Sequence, residues 1–431
     1  MKDIKPTRNP FLLFAPFLIL YFIVIIIFRP TGMVGDESRY LIYAQYMING
    51  FLPDSEINFD TLGNGPGYSI ILIPFVALHI SVLWMTLINA IFYYLSIVFL
   101  YKALLQFVNI CFALIVSIFW ACYFNLYENM IFLLPETFTV FLICLLIFCV
   151  TNVFGNRDSN KINWYVYFSG FLIGFIALTK PIFGYVLLFM LIIFGIIYIF
   201  KSKIVNYKKA LIILFAAFVT TLPYLIYTYH ITHRIFYWST VGGNNLYWMT
   251  TPYEFEYGDW SPDLKPNSIH TADKPSIFNR QKHIELNHSK DFETINKHIN
   301  GPQRDDAYKR IALNNIKLHP IKFIKNCASN MGRILFNFPY SYKYQQPDTL
   351  LRLPLNGVII VFSLFCLIPT FKNWKKIKFY IRFLLLFTTL YLGGSLLGSA
   401  ETRMFTMIVP ILLIWIAVII EKSIKINFYW K

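Results

Sequence analysis

Uncharged apolar runs dominate the chain, each about as long as a bilayer core is thick (roughly 20 residues), with short polar gaps between them. The first extends from Phe11 to Phe28 without a single charge. Others cover Leu83–Tyr101, Phe107–Phe124, Phe138–Val153 and Ala210–Tyr229, and two more flank Lys180-Pro181. Three follow after Leu350. Two shorter pieces do not fit this mould. Tyr68–His79 is interrupted by Pro74 and too short to cross, so it is predicted to lie in the interface. Ser38–Ile48 reads as a short amphipathic helix that Asn49-Gly50 and Pro53 stop. The prediction is an all-α polytopic membrane protein with about ten transmembrane helices and interfacial helices in the first outer loop. Residues 1–229 form a transmembrane module containing that loop (31–82), 230–350 a polar exported segment of mixed or helical structure, and 351–431 the C-terminal transmembrane helices.

Composition sharpens this picture. The chain is 57% hydrophobic and 14% charged, far too little charge for a soluble protein of 431 residues. A net charge of +16 raises the question of nucleic acid, but the basic residues punctuate the gaps between spans instead of forming a basic domain. No nucleic-acid partner is expected; membrane lipids are. Lys2, Lys5 and Arg8 precede the first span, which is too long for a leader's apolar region and lacks a small-x-small cleavage site, so it reads as a retained anchor. Placing basic loops in the cytoplasm puts Lys102, Arg157, Lys161, Lys201, Lys203, Lys372, Lys375, Lys376, Lys378, Lys422, Lys425 and Lys431 inside. Five cysteines fall in or beside spans and Cys327 in the polar segment, with no Cys-x-x-Cys pair, so neither a zinc site nor a disulfide framework is supported.

On this topology Asp36, Glu37, Glu128, Glu136, Lys180, His230, Arg234 and Arg403 all reach the outer face from different parts of the chain. Ionisable residues beside lipid are costly to hold, which makes their convergence a candidate site. Outside the cytoplasm no nucleotide sugar is at hand, and no Gly-x-x-x-x-Gly-Lys loop is present to cradle one. A sugar on a lipid phosphate would need a carboxylate to take the acceptor's proton, cations to hold the departing phosphate and an apolar groove for the lipid tail. The outward residues supply the first two.

Several segments resemble, in order, those of the GT-C membrane glycosyltransferases, among them the protein O-mannosyltransferases and the aminoarabinose transferases of lipid A. Gly35-Asp36-Glu37 with Tyr40 and Ala44 is similar to the family's first-loop signature, and Gly65-Pro66-Gly67-Tyr68 to the start of its second interfacial helix. Leu134-Pro135-Glu136-Thr137-Phe138 resembles the acidic start of the fourth span, and Gly170 to Pro181 the "GxxxGxxxLT(K/R)P" run. Ser239 to Leu246, Asp306 to Pro320 and Arg403 to Pro410 resemble later segments, although Met404 stands where the family's closing motif has Tyr and the first Pro of that motif is missing. Asn64-Gly65 stands where a basic residue often precedes Pro66.

The resemblance implies a GT-C fold in the cell membrane, its site facing outside, and an inverting transfer from a polyprenyl-phosphate-linked sugar to a hydroxyl of a lipid, glycan or protein acceptor. It implies catalytic carboxylates at Asp36, Glu37 and Glu136, with Asp36 the general base. It implies phosphate contacts from Lys180, Arg403 and Arg234, and acceptor or sugar contacts from Tyr40, Tyr68 and Asn244. A divalent metal ion is a conceivable cofactor with no ligand set identified.

Each residue also has a plainer reading. Asp36 is placed to cap the helix that follows it, Glu136 to start a span and Lys180 to snorkel. Arg403 and Glu401 have the spacing of a structural ion pair, and Asp305-Asp306 of a solvated helix start. His230-x-x-His233 has metal-ligand spacing but sits among interfacial tyrosines. Two other functions compete. A transporter would bury charges mid-span and show inverted repeats. A polymerase or ligase of surface polysaccharide would favour outer-loop arginines and histidines over an acidic first loop.

Overall fold

The computed structural model describes residues 9–51, 62–155, 162–201, 204–261, 279–298, 301–345 and 347–423. Lys2, Lys5, Arg8, Arg157, Lys161, Lys203, Lys425 and Lys431 of the predicted topology, and Pro53, lie outside them.

Helix α1 (Pro10–Phe28) begins where physical chemistry favours it. Asn9 accepts the Phe11 N–H at 3.1 Å, and Pro10 occupies the first turn, where its missing donor costs nothing. It ends just ahead of Arg29-Pro30, since the residue before a proline avoids helical geometry. Helix α2 (Glu37–Ile48) and α3 (Pro66–Ala77) are the two short helices of the first loop. Then come α4 (Val82–Leu104), α5 (Ile110–Ala121), α6 (Phe124–Met130) and α7 (Pro135–Gly155). Beyond them lie α8 (Trp164–Thr179), α9 (Ile182–Lys201) and α10 (Val205–Thr232). The polar segment contributes α11 (Gly242–Met249), α12 (Arg280–Ile295), α13 (Gly301–Leu318) and α14 (Pro320–Phe336). The chain closes with α15 (Asp348–Lys372), α16 (Phe379–Leu397) and α17 (Thr402–Ser423).

Eight helices among the described residues are long and apolar enough to cross a membrane, nine if the pair α5 and α6 is one span. The apolar α8, packed against α7, α9 and α10, is shorter at 16 residues and falls below that length, so the predicted ten is approached and not reached among the described residues. The third span differs from the uninterrupted Phe107–Phe124 expected: it bends by 46° at Cys122-Tyr123, and its second half carries Asn125 and Glu128 into polar contacts. Helix α17 is the axis of the bundle, with 83% of its apolar window buried, whereas α1 buries only 17% and lies at the bundle's edge. Gly170 and Gly174 bring α8 and α10 together: a Cβ on either would stand 2.6 Å from a carbonyl of α10. This is the small-xxx-small contact of membrane helices.

In the polar segment α11, α12 and α13 close a small core of their own around Tyr247, Trp248, Phe292 and Tyr308. Asp305 is not the solvated helix start expected. It lies within α13, fully buried, where it accepts the Gly243 N–H and pairs with Lys309.

Candidate active site

Four sequence-distant segments meet where α2, α7, α8 and α17 begin or end. Gly35, in the left-handed region at φ 60°, turns the chain so that Asp36 stands at the head of α2. Asp36 does not cap that helix with its side chain, as the sequence had suggested. Its carboxylate is drawn sideways instead, Oδ1 lying 3.2 Å from Arg39 Nη1 and Oδ2 3.6 Å from Arg403 Nη2. Glu136, in the first turn of α7 and fully buried, shares its Oε1 between Lys180 Nζ at 2.7 Å and Arg403 Nη1 at 3.6 Å. Arg403 also lies against Glu401, with Nε 3.0 Å from the carboxylate. Lys180, Glu136, Arg403, Asp36 and Arg39 thus form one continuous chain of ion pairs. Asp36 is about 30% exposed, while Glu136 is sealed and its Oε2 has no hydrogen-bond partner.

The supports of this chain are as informative as its members. Glu37 is fully buried and its carboxylate is consumed: Oε1 takes the Arg29 guanidinium at 2.8 Å and the Leu133 N–H at 2.6 Å, and Oε2 takes the Val34 N–H at 2.6 Å. It therefore ties the loop bearing Asp36 to the turn preceding Glu136, and no oxygen is left to face a substrate. Asn89 holds the same turn by donating to the carbonyls of Met130 at 3.2 Å and Phe132 at 2.8 Å. The turn carrying Lys180 is pressed against the head of α3, where a Cβ on Gly65 would meet the Leu178 carbonyl oxygen at 2.0 Å. Only glycine allows that approach.

Tyr40 and Tyr68 lie beneath the cluster, both buried, their rings edge-to-face at 5.4 Å. Tyr68 also lies against Phe138, and with both rings buried neither is laid open for a sugar to stack on. Burial, followed by the nearby Glu136 and Asp36, pushes the Tyr40 hydroxyl well above its ordinary range, so it remains protonated. Arg234 is not part of the cluster's ion-pair chain. It forms a two-pronged pair with Asp306 at 2.7 and 2.5 Å, beside Tyr237. Asn244 is buried in α11 with its carboxamide oxygen unpartnered, and the next residue's carbonyl accepts the Ser399 N–H at 3.3 Å. Helix α11 therefore sits against the loop leading to Arg403.

Several residues of this architecture were not singled out from sequence. Arg39 could have been found from its i, i+3 spacing to Asp36. Arg352 could not. Buried near the start of α15, it reaches Asn125 at 3.0 Å, Thr402 at 2.9 Å, Glu128 at 2.6 Å and Asp348 at 2.7 Å, locking α6 and α15 to the residue before Arg403. No three His, Cys, Asp or Glu side chains among the described residues come together as a metal-binding group, and the exposed His230 and His233 lie apart at the end of α10.

No family model and no curated protein matches the chain. Solved structures are similar at low identity. ArnT from Cupriavidus metallidurans bound to undecaprenyl phosphate is 11% identical with a TM-score of 0.41, over 94% of this chain and 77% of that one. Its apo state gives 10% and 0.41 over the same shares. An Archaeoglobus fulgidus oligosaccharyltransferase tethered to an acceptor peptide gives 12% and 0.45, over 95% of this chain and 49% of the other.

Proposed function

We propose that this protein is an inverting glycosyltransferase that moves a sugar from a polyprenyl-phosphate carrier to a hydroxyl on a lipid, glycan or protein acceptor, working on the outer face of the cell membrane. The observation that carries the reading is the chain Lys180–Glu136–Arg403–Asp36, assembled at the span ends from four separate segments. The order of motifs in the sequence supports it independently. Residues 1–229 would then supply the base and Lys180, residues 351–431 the arginine, and 230–350 the cover through Asn244.

In this reading Asp36 takes the acceptor's proton as the acceptor oxygen bonds to the anomeric carbon from the side opposite the phosphate. The bond from that carbon to the phosphate oxygen breaks with inversion, and the electron pair leaves on the phosphate. Arg403 and Lys180 stabilise that growing charge by contacts already poised before reaction. Glu136 holds both cations at the right height, and Glu37 holds Asp36 against them. The placement of charges at span ends disfavours a transporter, which would need them mid-span.

The test is Asp36→Asn in membranes given a radiolabelled polyprenyl-phosphate sugar. The partly exposed pairs of Asp36 are worth at most about 1 kcal/mol, so the protein should accumulate normally. Turnover should fall by roughly 10²–10⁴-fold. Transfer at a near-normal rate would overturn the assignment.

A further inference from the structure

Helix α14 is built inside out. The face turned into the protein carries Asn326, Asn330 and Arg333, all buried, while the face turned outward carries Ile321, Ile324 and Met331, exposed by 71, 67 and 48%. A surface helix in water has the opposite arrangement.

The inward face is heavily hydrogen-bonded. Asn330 donates to the carbonyls of Ser395 at 3.0 Å, Leu396 at 3.2 Å and Gly398 at 2.7 Å, and its oxygen accepts the Ala400 N–H at 3.1 Å. Asn326 donates to the carbonyls of Met249 and Thr251, both at 3.0 Å, and Arg333 to that of Tyr257 at 2.7 Å. The polar side of α14 is thus a strut for the loop that leads to Arg403 and for the loop that follows α11.

We infer that the outward face of α14 is seated in the lipid leaflet bordering the ion-pair cluster, so that the exported segment re-enters the membrane surface at this helix. Three observations select lipid as the occupant. Helix α14 packs on α15, α16 and α17, all of spanning length, which places it at the edge of the bundle. The α15 it packs against likewise leaves Leu350 and Leu351 exposed near its start and buries only 22% of its apolar window. Lys325 lies on this outward face, and Lys317 with Leu318 leads into it, all exposed. Long lysine stems can lie along the apolar surface while their ammonium groups reach lipid phosphates. Because Asn330 grips residues 395–400, the leaflet surface sets the height of the Arg403 loop.

The experiment uses the full chain in phosphatidylcholine–phosphatidylglycerol vesicles. A genetically encoded, environment-sensitive fluorescent amino acid replaces Ile324 in one variant and Met331 in another, with the exposed Glu285 of α12 as reference. Neither replaced side chain is a packed one. Emission from the Ile324 and Met331 positions should be blue-shifted and lost in vesicles with brominated acyl chains, while the Glu285 position responds to neither. Water-like emission from α14 overturns the inference. So does blue-shifted emission that bromine leaves unquenched, which would mean that a protein partner or second copy covers the face. The unsubstituted protein gives an independent readout. A lipid bearing a diazirine on its acyl chain should label the peptide containing Ile321 and Ile324, and labelling confined to the spanning helices overturns it equally.

Discussion

Glu37→Gln separates a positioning carboxylate from a catalytic one. The substitution keeps the side chain's size but removes a charge that has no exposure, leaving the 5%-exposed Arg29 without its counter-ion. Breaking one side of a buried ion pair costs about 3–5 kcal/mol. The new amide must also point its NH₂ at either the Val34 or the Leu133 N–H, orphaning a donor at a further ~1–3 kcal/mol, though the two losses overlap. Taking about 4 kcal/mol and an unfolding entropy of roughly 0.9 kcal/mol/K for a chain of this length gives a drop of about 4–5 °C in Tm. Spans that stay helical after unfolding lower that entropy, so the drop is a minimum. In detergent, Glu37→Gln should therefore lose both thermal stability and transfer, whereas Asp36→Asn should lose transfer alone. Removing both charges in Arg29→Met with Glu37→Gln should recover part of the stability. A Glu37→Gln protein with unchanged Tm and abolished turnover would refute the reasoning and make Glu37 the base.

Two further outcomes follow from the geometry. Arg403→Ala should raise the apparent KM for the lipid-linked donor several-fold more than that for the acceptor, because its contacts with Glu136 and Asp36 are long, at 3.6 Å each, and yield readily to a phosphate; equal effects on both substrates would count against it. In the polar segment between α10 and α15 burial pushes the Glu256 carboxyl up, but the hydrogen bond and charge of His288, with Thr251 and Asn287, bring it below its ordinary 4.5. A depressed carboxylate stabilises the fold above its ordinary value and loses that contribution as pH falls through its lowered one. Tm followed from neutral pH down through 4.5 should thus decline less steeply in Glu256→Gln than in the parent, and parallel curves would exclude the assignment.

The sequence was most readable where the lipid solvent does the selecting. Spans α1, α4, α7 and α10 lie within a few residues of where uninterrupted apolar runs put them, because backbone groups in a bilayer must satisfy each other within the helix. The bend at Cys122-Tyr123 was hidden, since nothing in Phe119 to Phe124 weakens an apolar pattern. What breaks the span is tertiary: the Tyr123 hydroxyl donates to Asn356 at 2.5 Å, and Asn125 accepts from Arg352 at 3.0 Å, partners more than 200 positions away. Asp305 was misread for the same reason, because its burial depends on the distant backbone of Gly243.

The candidate site shows the same division at finer grain. Charged residues at span ends were legible as a set, because each is costly beside lipid. Which of them could meet a substrate was not legible, since that is decided by which carboxylate is already spent. Asp36 and Glu37 are adjacent, chemically alike and both acidic at the head of one helix, yet one is 30% exposed between two arginines and the other is sealed against Arg29 and two backbone donors. Helical geometry turns consecutive side chains about 100° apart, so one of an adjacent pair faces the bundle while the other faces the surface. The sequence holds that fact only once the direction of the core is known. Here the direction is set by the turn before Glu136, whose Leu133 N–H claims Glu37 and leaves Asp36 to the arginines.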